Sequence, residues 1–340
     1  MAISRHCRLR RGSALLAVLW ISAAMAAIAF SLSNTVRGET ERTSTVLDDL
    51  RGYYLATGAI DRAMVEVIWS AAFPNQRMLP KGAFMVDYSF PAGAAHVEFI
   101  PETARLDLNS ASPETLYRLM LALGIEPARA LEIAQATVDW RTPGGELFDS
   151  YYLSLAPSFR ASHTSFQETE ELLLVKGVTP EIFYGTYVPA PAPDRAAGGV
   201  GQPGGRRLIH MSGLVDCLST FGSKGRVDAN TANPAVLAAV GLSPDAVNFI
   251  VERRRAGALD DKQLAEMATL LGPGAAFLRV AGNSIIDIRA TARVLLPNGQ
   301  LSDLKRTVAA QVKYMPHGYD SPIHILRWYD TAFSGAGGSN

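Results

Sequence analysis

Charged residues are missing from Gly12 to Val36, a run of 25 positions that reads GSALLAVLWISAAMAAIAFSLSNTV. Roughly 20 apolar helical residues cross the hydrocarbon of a bilayer, so the run predicts a membrane-spanning helix. Charges start abruptly at Arg37 and continue through Glu39, Glu41, Arg42, Asp48, Asp49, Arg51, Asp61, Arg62 and Glu66. Between them, apolar or small residues recur in steps of three and four at Val46, Leu47, Leu50, Tyr53, Tyr54, Thr57, Ile60, Met64, Val67, Ile68 and Ala71. That period marks one stripe of a helix, and no proline occurs before Pro74. The pattern predicts a single helix over about 13–72, membrane-embedded in its first half and amphipathic in its second. At roughly 1.5 Å per residue it would be about 90 Å long.

After Phe73-Pro74-Asn75 the period shortens to two. Residues 83–90 (AFMVDYSF) and 94–100 (AAHVEFI) read as strands joined by Pro91-Ala92-Gly93. Alternation returns at 285–296 and 303–315, which flank Pro297-Asn298-Gly299-Gln300, a hairpin signal. The run 323–329 (IHILRWY) predicts a last strand. Neither group is large enough to stand alone. Together they make a sheet of four or five strands packed on the long helix. The expected architecture is α+β: a discontinuous pilin-like domain over 13–104 and 283–340, with an inserted all-helical domain over 105–282.

The insert carries an internal repeat. Residues 105–116 read RLDLNSASPETL and residues 226–237 read RVDANTANPAVL, with Arg, Asp, Asn, Ala, Pro and Leu at matching places. Each copy leads through a helix to a turn, Gly124-Ile125-Glu126-Pro127 or Gly241-Leu242-Ser243-Pro244. A looser third copy holds Gly177-Val178-Thr179-Pro180. In each, a polar side chain next to proline suits a helix start. The pattern resembles the helix-hairpin-helix module, whose nucleic-acid-binding versions offer bare backbone N–H groups of a Gly-x-Gly turn to phosphate. Here Glu126, Ser243 and Thr179 replace the second glycine, and a proline without an N–H follows each. A structural use is therefore expected, with Arg206-Arg207 and Arg253-Arg254-Arg255 as the features that speak for DNA. Residues 188–207 are rich in proline and glycine and predict an exposed connector.

Composition narrows the function further. The 340 residues are 48% apolar, with 32 basic and 32 acidic side chains, so no global field attracts nucleic acid. The cysteines are Cys7 and Cys217, and the six histidines are scattered with no i, i+4 pair, which argues against structural zinc. No Gly-x-Ser-x-Gly, His-Glu-x-x-His or phosphate-loop motif occurs, so nothing points to an enzyme. Arg5, Arg8, Arg10 and Arg11 precede the apolar run and should stay cytoplasmic. Three readings of this start remain: a signal peptide cut near Ala24-Met25-Ala26, a plain anchor, or a prepilin-like leader that ends at Gly12 and leaves the helix in place.

In their order along the chain, RRGSALLAVLW (10–20), RLDLNSASPETL (105–116), ATVDWRTPGGELFDSYYLSL (136–155), FQETEELLLVKGVTPEIF (166–183) and VDANTANPAVL (227–237) resemble the minor pseudopilin K family of type II secretion systems (general secretion pathway protein K). The resemblance implies a leader over 1–12, cut by the prepilin peptidase between Gly12 and Ser13, with methylation of the new N-terminus. It places Ala17 where most pseudopilins carry glutamate, a substitution typical of the K subunit and of a place at the filament tip. Implied partners are the minor pseudopilins I, J and H, with no nucleic acid. The implied location is the bacterial inner membrane, single-pass, N-terminus cytoplasmic and bulk periplasmic. Relatives that bind calcium suggest Asp139, Glu146 and Asp149 as ligands, although the longer acidic loop and the disulfide of those relatives are missing. The alternative is a membrane-tethered helix-hairpin-helix protein that binds DNA.

Overall fold

The computed structural model describes residues 13–73, 75–76, 84–189, 208–280, 284–315 and 321–331. Helix α1 runs unbroken from Ser13 to Ala72. Its apolar first half is exposed along its length and is long and apolar enough to cross a membrane. In its second half Ala56, Ala59, Ile60 and Ala63 are fully buried. The spacing i, i+3, i+4, i+7 puts all of them on one face.

That face lies on a sheet. Among the described residues five strands form it: β1 (Met85–Phe90), β2 (Gly93–Pro101), β3 (Ile285–Val294), β4 (Arg306–Tyr314) and β5 (Ile323–Tyr329). They lie side by side in that order, and every pair is antiparallel. Register aligns Ala95 with Ala292, Val97 with Ala290 and Ala310 with Ile288. Successive side chains of a strand point to opposite faces, so Ala95, Val97, Ile288, Ala290, Ala292, Val308, Ala310 and Val312 build one buried face against α1. Small side chains on both partners let the helix approach the sheet closely. Gly93 needs its freedom: its φ is +157°, and a Cβ there would sit 2.2 Å from the Arg293 carbonyl oxygen.

The β3–β4 hairpin uses more chain in its turn than the sequence pattern predicts. Strand β3 stops at Val294 and β4 starts at Arg306. A turn closes from Leu296 to Gly299, which has φ +80°, and Arg293 donates to the carbonyls of Ser302 and Leu301. These bonds take up backbone groups that would otherwise pair in the ladder.

The chain leaves the sheet at Pro101 and returns at Ile285. Between these points lies a second core, separate from the first, whose members include Leu108, Leu116, Leu119, Met120, Ile133, Trp140, Tyr152, Phe183, Leu214, Leu218, Leu237 and Ile250. Its main helices are α2 (Pro113–Ala122), α3 (Pro127–Arg141), α4 (Pro234–Ala239) and α5 (Pro244–Arg255).

Candidate functional site

Two regions hold the residues singled out by sequence: the N-terminal helix and the repeats. Gly12 lies outside the described residues. Ser13 opens α1, and Ala17 stands on its exposed apolar part. The apolar stripe divides further along. Ile60 faces the sheet, whereas Val46, Leu47, Leu50 and Tyr54 are exposed, Val46 by 67% and Tyr54 by 65%. The charges beside them pair along the helix, Arg42 with Glu39 and Arg51 with Asp48, both at 3.1 Å. The helix thus presents a long, partly apolar surface with no covering layer among the described residues.

The repeats prove to be a duplicated scaffold. Helices α2, α3, α4 and α5 each begin with proline, capped by Ser112, Glu126, Asn233 and Ser243 respectively. The turn glycines Gly124, Gly177 and Gly241 have φ of +81°, +87° and +99°, a region open to glycine. Asn109 accepts the Phe166 N–H at 2.8 Å and donates to its carbonyl at 3.0 Å. Asn230, its counterpart, does the same to Leu259 at 2.8 and 3.0 Å. Arg141 donates to the carbonyls of Leu108 and Ala111, and Arg254 to those of Ala229 and Ala232. Leu106–Asp107 pairs in parallel with Leu218–Ser219, and Val227–Asp228 with Leu278–Arg279.

These contacts leave little for a phosphate. The Glu126 carboxylate accepts from the N–H groups of Ala128 and Arg129, which hold its pKa below the ordinary value. Ser243 Oγ accepts from Ala246 N–H. The amides that a phosphate would use at these two helix starts are therefore occupied by protein oxygens. Arg254 is spent on carbonyls, and Arg255 pairs with Glu252.

The acidic residues around Pro143-Gly144-Gly145 are also engaged. Asp139 Oδ1 accepts from Leu147 N–H at 3.2 Å, and Asp149 Oδ1 meets His163 Nε2 at 2.9 Å. The other His163 nitrogen lies 3.1 Å from the Asp139 carbonyl. Partial desolvation lowers the His163 pKa; its bonds to Asp149 and Asp139 and their charges raise it more, and the net direction is up. Among the described residues no group of three or more His, Cys, Asp or Glu side chains can hold a metal ion. The histidine in this cluster gave no sequence signal, since it lies 14 residues beyond Asp149 and at no ligand spacing. Cys217 is fully buried, and burial pushes its thiol pKa up.

Comparison with known proteins bears on the same segments. Residues 102–185 match the family model of the type II secretion system (T2SS), protein K. That stretch is thus similar to protein K. The type II secretion system protein K of Klebsiella pneumoniae is 28% identical over 197 residues, covering 51% of this chain. The aligned part spans about 60% of the length of that relative. A chain of the crystal structure of the GspK-GspI-GspJ complex from the enterotoxigenic Escherichia coli type 2 secretion system superposes with a TM-score of 0.53. The match covers 86% of this chain and 100% of that one at 16% identity, a likeness of fold.

Proposed function

We propose that this chain is a minor pseudopilin at the tip of the type II secretion pseudopilus, where it takes part in pseudopilus assembly and in protein export across the outer membrane. The observation that carries this reading is the match to protein K at 102–185, set in a chain that pairs a membrane-length helix with a five-stranded antiparallel sheet. The work is done by packing. The first half of α1 would anchor the subunit in the inner membrane, with its N-terminus cytoplasmic and its bulk periplasmic. The exposed positions Val46, Leu47, Leu50 and Tyr54 would bury their apolar surface against helices of neighbouring subunits. Prepilin peptidase would cut between Gly12 and Ser13, and the absence of a carboxylate at Ala17 suits a subunit with no neighbour above it. The bulky second core adds to that placement, because it would clash inside a filament shaft.

The Escherichia coli structure is a complex of GspK, GspI and GspJ. By analogy, the partners of this chain are its own I and J pseudopilins, with H joining the tip. The DNA-binding reading is less well supported, because the helix starts at Glu126 and Ser243 are capped from within. Coexpression of the full chain with I and J from the same organism, detergent extraction and native mass spectrometry test the proposal. A complex holding one copy of each is expected. A chain that stays alone while I and J pair would contradict it.

A further inference from the structure

The second core is tied to the sheet by two crossings only, and two crossings alone make a hinge. At the crossings, however, lies a buried ion cluster. The chain leaves β2 through the turn Glu102–Ala104 and reaches Arg105; it returns in β3, where Asp287 stands. The Arg105 guanidinium donates to Glu102 Oε1 at 2.9 Å and to Asp287 Oδ2 at 3.1 Å, so one fork joins the outgoing strand to the incoming one. From β4, Gln311 Nε2 donates to the same Glu102 oxygen at 2.9 Å. Arg289 stands 4.0 Å from Asp287, and Asp216 of the second core adds negative charge facing Arg105. Glu102 is fully buried, and the side chains of Arg105 and Asp287 are 13% and 8% exposed. Such charges are stable only with their partners, because an uncompensated buried charge is costly.

A second attachment lies apart from the first. Arg327 of β5 donates to Glu168 Oε1 and to the Gln167 carbonyl, both at 3.3 Å, and lies 3.8 Å from Glu170. Two separate ties remove the rotation that the crossings would permit. Burial by itself lowers the Arg105 pKa, but Glu102 and Asp287 reverse this and raise it, so Arg105 stays charged at every working pH.

We propose that the domain formed by the second core is held in one fixed orientation on the pilin sheet by an ionic joint, with Arg105 as its buried lock and Arg327 as its outer brace. The lock is shielded from salt, whereas the brace, on partly exposed glutamates, is screened. The joint acts whatever the partners of the chain are.

Spin labels at Asp61→Cys on α1 and Leu270→Cys on the second domain, in the full chain with Cys7→Ser, report the orientation by pulsed dipolar spectroscopy. Cys217 is buried and stays unlabelled. One narrow distance distribution is expected at low and at high salt. Arg105→Met should broaden it towards shorter and longer distances, and Arg327→Ala should broaden it less. If Arg105→Met does not fold, Arg105→Lys, which keeps the charge and loses the fork, carries the comparison and should broaden it too. A broad distribution in the parent overturns the proposal. So does a narrow one that persists in every folded Arg105 variant.

Discussion

Asn109 and Asn230 stand at matching positions of the two repeats and grip different loops in the same way. Asn230 is the more deeply buried, so Asn230→Ala leaves both backbone groups of Leu259 without partners in a dry setting. It should lower stability by about 2–4 kcal/mol, read by chemical denaturation. Asn109→Ala, nearer to water, should lower it by less. His163 makes a pH-dependent contribution. Its pKa is raised on folding, so the stabilisation is complete below the unfolded value near pH 6.5 and fades as pH rises through the higher folded value. The midpoint of thermal unfolding should therefore fall between about pH 6 and pH 8, and His163→Gln should flatten that slope. Caps such as Ser112 and Ser243 were legible in the sequence because they act within three residues. The asparagines were legible as a repeat, but their partners were not, lying 57 and 29 residues away. Arg105 and Asp287 are 182 residues apart, and no local pattern links them.

Helix α1 was legible to within a residue because three signals coincide: an uncharged run, a stripe of period three to four, and no proline. What the stripe did not reveal is its division. Ala56, Ala59, Ile60 and Ala63 are buried against the sheet, while Leu47, Leu50 and Tyr54 are exposed. Alanine is a weak hydrophobic signal, yet here it makes up three of the four fully buried hydrophobic positions on the helix. Ala59→Leu would force a bulky side chain between α1 and the sheet and should lower stability by about 1–3 kcal/mol, with the sheet and helix loosening together in hydrogen exchange. The strands were legible by alternation. The last strand, 323–329, was legible to the residue. The ends at the β3–β4 connection were not, since Arg293 and the Leu296–Gly299 turn settle it through side-chain bonds and one glycine.

The whole molecule shows two cores threaded by one chain, the second inserted between strands of the first. The sequence displays this as a change of period, from two to three or four and back to two. The order of motifs carried the family resemblance, and the protein K match at 102–185 supports it. In the proposed role, the apolar helix stays on the subunit for life, because α1 is both the membrane anchor and the layer that covers the sheet. An ordinary signal peptide would be cut inside that helix and discarded. Mass spectrometry of the N-terminus of the membrane-extracted mature chain separates the two most directly. A start at Ser13 with a methylated amine is the predicted result. A start near Ala27 would contradict the account.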